Sequence, residues 1–111
     1  MLYNVYIFFK EDMFNGEIYA EGIYNSVTNT LLVKKGSKRR FIYTNHFEKN
    51  KYYALMCELV DKKVIDSDEF IKDYEFSSPS SASSVILGGS TNGRIEWKSK
   101  DGKTIKDLMK R

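Results

Sequence analysis

Apolar and polar positions along the chain change their period twice, and those changes mark out the elements. Residues 2–9 are dense in Tyr, Val, Ile and Phe and broken only by Asn4, the composition of a buried strand. Residues 17–25 alternate: Ile18, Ala20 and Gly22 share one face, Tyr19, Glu21 and Ile23 the other. Residues 28–35 read as a third strand, Gly36-Ser37 as a turn, and Phe41-Ile42-Tyr43 as renewed strand. From Phe47 to about Lys62 the period lengthens. Tyr52, Leu55, Met56, Leu59 and Val60 fall on one stripe of an amphipathic helix, with Asn45 as its expected N-cap.

Residues 70–76 again look extended. Ser78-Pro79-Ser80 is a helix start, with Ser78 as N-cap and Pro79 at the first helical position, where its missing N–H costs nothing. Ala82, Val85 and Ile86 give that helix one apolar face, and Gly88-Gly89 ends it. Asn92-Gly93 predicts a tight turn into a strand over Arg94–Lys98, with Ile95 and Trp97 on one side. Asp101-Gly102 turns the chain again, and Thr104 with Asp107 forms a capping box for a last short helix carrying Ile105, Leu108 and Met109. Strands first and helices later predict an α+β domain over residues 1–111. It has a mostly antiparallel sheet, one longer helix at about 47–62, and short helices near 79–88 and 104–110.

Composition narrows the class. At 111 residues and 41% apolar types the chain can bury one core without staples. One Cys and one His leave no internal disulfide and a poor start for a metal site, so neither metal nor cofactor is expected. His46 reads as a surface or capping residue and Cys57 as a small hydrophobe on the border of its helix stripe. With no nucleophile–base pair or metal set to assemble, the chain is expected not to be an enzyme. The nine-residue apolar start is too short to span a bilayer and lacks a basic lead, so the expected compartment is the cytoplasm.

Charge changes the picture more. The net charge is only +3, but it is unevenly laid down: −3 over residues 1–33, +5 over 34–40, −3 over 41–75 and +4 over 76–111. Lys34, Lys35, Lys38, Arg39 and Arg40 flank Gly36-Ser37, and cations around such a turn suit phosphates. The spacing is not that of a nucleotide P-loop. Ser78 and Ser80 at a helix start offer hydroxyls beside free N–H groups, a second anion-binding candidate, although a plain structural cap explains the same residues. Arg94, Trp97 and Lys98 are the third, with Trp97 able to stack on a base if exposed and otherwise a core residue. The acidic runs Asp66–Glu69 and Asp73–Glu75 lack the spacing of a calcium loop.

The segment from Phe76 to Ile105 carries a resemblance. Phe76, Ser78-Pro79-Ser80, Ala82, Gly88, Asn92-Gly93, Trp97-Lys98 and Asp101-Gly102, with Val33 and Gly36-Ser37 upstream, resemble an uncharacterised bacterial domain. That domain is found C-terminal to GIY-YIG nuclease domains and in restriction-modification proteins. The segment is also similar to the restriction-system adenine-methylation-associated domain. Gly22-Ile23-Tyr24 spells half of a GIY-YIG signature, but no YIG follows, and the tripeptide reads as strand. Ser83 stands where the family has a second alanine. The resemblance implies a free-standing or excised accessory module, non-catalytic, that engages DNA beside a nuclease or methyltransferase domain and senses modified bases. The residues expected to touch nucleic acid are Lys34, Lys35, Ser37, Lys38, Arg39, Arg40, Ser78, Ser80, Arg94, Trp97 and Lys98. The competing expectation is an interaction or purely structural domain, in which the same signature residues only specify the fold.

Overall fold

In the computed structural model, which describes residues 1–8, 19–40 and 46–110, the alternating segments pair as one antiparallel sheet. β1 (Leu2–Phe8) pairs with β2 (Tyr19–Asn25), β2 with β3 (Thr30–Val33), and β3 with β6 (Tyr74–Phe76). A separate two-stranded hairpin, β4 (Ile65–Asp66) with β5 (Glu69–Phe70), fills the connection. The register follows the hydrophobic alternation. Val5 lies opposite Gly22, and Gly22 opposite Val33, so one sheet face carries Val5, Ile7, Ala20, Tyr24, Leu31, Val33 and Phe76 into the core.

Helices cover that face. α1 (Lys51–Asp61) contributes Met56 and Leu59; α2 (Pro79–Leu87) contributes Ala82, Val85 and Ile86. Two four-residue helices, α3 (Gly93–Glu96) and α4 (Ile105–Leu108), close the end of the chain, and Ile105 joins the core. The domain is therefore α+β, as the order of strands and helices predicted. Among the described residues no helix is long and apolar enough to cross a membrane.

Four expectations shift. The long helix starts later than residue 47: Phe47–Lys49 is a separate 3₁₀ turn, and Asn50 caps α1 by accepting the Tyr52 N–H at 2.8 Å. The Asn45 cap, the 41–43 strand and residues 17 and 18 lie outside the described residues. Asn92-Gly93 does not turn into a strand. Asn92 instead caps α3, its side-chain oxygen accepting the Arg94 N–H at 3.1 Å. Ile95 and Trp97 consequently part company, Ile95 half in solvent and Trp97 fully buried. Finally, α2 is buried on nearly every side, not on one. Its serines are satisfied internally: Ser81 Oγ donates to the Ser78 carbonyl, and Ser84 Oγ accepts the Thr91 N–H.

Candidate nucleic-acid interface

Four of the signature residues, Pro79, Ser80, Gly93 and Trp97, meet at one point where α2 and α3 pack together. Ser78 caps α2 by accepting the Ser81 N–H at 3.1 Å. Ser80 Oγ accepts the Gly93 N–H at 2.9 Å, which ties the start of α2 to the start of α3. A Cβ on Gly93 would lie 2.1 Å from the Pro79 carbonyl carbon, so only glycine permits this approach. Trp97, with no exposed surface, donates its indole N–H to the Pro79 carbonyl at 3.1 Å. A buried Trp removes ~200 Å² from water, an upper estimate of about 5 kcal/mol toward folding. The expectation of a stacking Trp97 is therefore corrected, because the indole is a core group; Ser78 and Ser80 stay partly exposed while their hydroxyls serve the starts of α2 and α3. Gly22 serves the same packing, since a Cβ there would lie 2.8 Å from Leu31 Cδ2 and 3.4 Å from the Trp97 ring.

The basic run at 34–40 is a strap rather than an open loop. Phe70 ties this segment to β5, its carbonyl accepting the Gly36 N–H and its own N–H donating to the Ser37 carbonyl. Arg39 N–H reaches the Asp68 carbonyl and Arg40 N–H the Ile86 carbonyl near the end of α2. Ser37 Oγ accepts the Glu21 N–H and donates to the Glu21 carbonyl, so its hydroxyl is engaged by β2. Arg39 is 7% exposed. Lys38 pairs with Glu69 at 2.9 Å, and that hydrogen bond, then the Glu69 charge, raises its pKa above 10.5. Lys34 pairs with Glu21 at 3.2 Å, and Lys35 is exposed. Ser37 and Arg39 thus leave the expected contact set because their side chains are buried in the strap.

A longer run of exposed positive charge lies near the C-terminal end of the described residues. Arg94, Lys98, Lys100, Lys103, Lys106 and Lys110 are all exposed along the last segment. Of its three acids, Glu96, Asp101 and Asp107, two are structurally occupied: Asp101 accepts the Ser99 hydroxyl, and Asp107 accepts the Thr104 N–H in the capping box. Both carboxyls are consequently held below their ordinary pKa of 3.8, Asp101 first by the Ser99 hydroxyl and Asp107 first by the Thr104 N–H. Only Arg94 and Lys98 of this cluster were singled out from sequence. Lys100, Lys103, Lys106 and Lys110 were missed, although a cation every two to four residues was there to read.

The sheet decides where this segment sits. Tyr6 and Lys98 exchange both backbone bonds, at 2.7 and 2.9 Å, so residues 97–99 run along the outer edge of β1. The sheet order puts β6, with Asp73 just before it and Glu75 within it, at the opposite edge. Directly opposed residues share a face, and so Lys98, Tyr6, Glu21 and Lys34 form one row on the face away from the helices. Lys98 and Lys34, drawn from two separate basic blocks, lie roughly 14 Å apart along that row.

A family model described as a domain of unknown function, DUF4357, matches residues 9–109, and the chain belongs to that family. Comparison with curated proteins and with solved structures returned no match. Among the described residues no group of His, Cys, Asp and Glu is placed to hold a metal ion.

Proposed function

We propose that this domain is a non-catalytic accessory module that binds nucleic acid through the basic segment at the β1 edge. The observation carrying this reading is the cluster of six exposed cations over residues 94–110, anchored to the sheet by the Tyr6–Lys98 pair. Backbone contacts of this kind give modest, sequence-tolerant affinity, suited to a module that works tethered to another domain. The resemblance to domains accompanying GIY-YIG nucleases and restriction-modification proteins, and to the adenine-methylation-associated domain, supports DNA as the polymer and modified bases as the feature read.

Binding of labelled plain, adenine-methylated and cytosine-methylated DNA at two salt concentrations tests it. Three phosphate contacts predict a log–log salt slope of about −2.7 on duplex, or roughly 40-fold weaker binding between 50 and 200 mM salt. The triple variant Lys98→Glu, Lys100→Glu, Lys103→Glu should abolish binding and leave the fold intact, because all three side chains are exposed. Salt-independent affinity, or an unaffected triple variant, rejects the reading. The rival, a structural or protein-interaction module, draws support from the inward placement of Ser80, Gly93 and Trp97, since the signature then requires no ligand.

A further inference from the structure

We infer that the sheet face away from the helices takes a single strand of nucleic acid along β1, with Phe8 stacking a base and Lys98 and Lys100, beside Tyr6, meeting the phosphates of the neighbouring nucleotides. This rests on the nucleic-acid reading above and adds which form is bound and by what contact. β1 alternates, so Tyr6 and Phe8 point to the same face as Lys98, away from the core residues Val5 and Ile7. The Phe8 ring lies over Tyr6 with centroids 5.6 Å apart and planes 28° from parallel. Lys100 Nζ approaches the Tyr6 ring to 5.9 Å. Tyr6 is 7% exposed and fixed by backbone bonds to Lys98 as well as by pairing with β2, whereas Phe8 leaves 58% of its surface in solvent. The exposed aromatic thus leans on a held ring, and it is beside that ring, one step along β1, that Lys98 and Lys100 lie.

That combination selects its occupant. Duplex DNA presents phosphates to lysines but keeps its base faces stacked inside. A single strand offers both a base face and a backbone, and every base has a face that an aromatic ring can meet. Leu2, Ile23 and Leu32 continue the same face across the sheet as partly exposed aliphatic surface. Lys98 and Lys100 line the β1 edge, whereas Glu21 and Glu75 lie across the sheet, which places the strand along β1.

The test uses the whole chain and two labelled probes of about 20 nucleotides, an oligothymidine and a mixed-sequence duplex, at 50 and 200 mM salt. The oligothymidine should bind about tenfold more tightly than the duplex. Phe8→Ala should lose about tenfold on the single strand and under twofold on the duplex. Phe8→Trp keeps an aromatic platform and should retain affinity, its added emission falling when the oligothymidine binds. That variant decides the matter should Phe8→Ala fail to fold. Equal or tighter duplex binding, or Phe8→Trp emission unchanged by bound oligothymidine, overturns the inference while leaving the nucleic-acid reading in place. Absence of binding to either probe at 50 mM salt rejects both.

Discussion

Replacing Gly93 by alanine inserts one methyl group where α3 meets α2. The added carbon would sit 2.1 Å from the Pro79 carbonyl carbon, 2.3 Å from its oxygen and 2.4 Å from the Ser80 nitrogen. All three are backbone atoms at the start of a helix, so no side-chain rotation relieves the clash. Restoring ordinary contact requires the helices to part by about 1 Å, which lengthens the 2.9 Å Ser80–Gly93 bond and the 3.1 Å Trp97–Pro79 bond past useful range. Overpacking of this kind costs about 1–3 kcal/mol, and two weakened buried hydrogen bonds add about 1 kcal/mol each. The total of about 3–5 kcal/mol is a large part of the roughly 5–15 kcal/mol that holds a domain folded. Urea and thermal denaturation followed by circular dichroism should show the midpoint falling by at least about 12 °C. Gly102→Ala is the control. Its φ of +87° strains an alanine, but the new Cβ meets nothing within 4 Å, so the loss should stay near ~1 kcal/mol. A Gly93→Ala protein no less stable than Gly102→Ala would refute the packing argument.

Two further outcomes follow from the same geometry. Trp97→Phe removes the indole N–H from the Pro79 carbonyl and leaves a void, and should cost about 2–4 kcal/mol by urea denaturation. In the wild type the Trp97 emission should be blue-shifted and resist acrylamide, while strong quenching would contradict its burial. The capping box makes stability acid-sensitive. Because Asp107 is held below 3.8 in the folded chain, its contribution is complete above the unfolded value and drains away as pH falls through the lower folded one. Asp107→Asn should therefore flatten the fall in urea midpoint below about pH 4; an unchanged profile would assign that fall to other groups.

Much of the scaffold could be read from local pattern. Ser78, Pro79 and Gly88 bracket α2 as expected, because capping and a left-handed C-terminus depend on a few adjacent residues. Thr104 and Asp107 close their box for the same reason. Asn92-Gly93 misled because its hairpin meaning assumes a partner strand. Here the Gly93 N–H had a better acceptor in Ser80, thirteen residues upstream, and Asn92 became a cap.

The candidate surface divides along the same line. Residue types determined that the chain carries two basic blocks, one buried Trp or one stacking Trp, and a first strand dense in Tyr, Val, Ile and Phe, read as buried. Only the tertiary structure decided among those uses. It buried Trp97 under α2, folded Arg39 and Ser37 into a strap, and laid Lys98 beside Tyr6. Charge and hydropathy are properties of a residue, legible one position at a time. Which face a side chain occupies depends on sheet register and on contacts between segments as distant as β1 and residue 98, where a shift of one residue would exchange the core for the solvent.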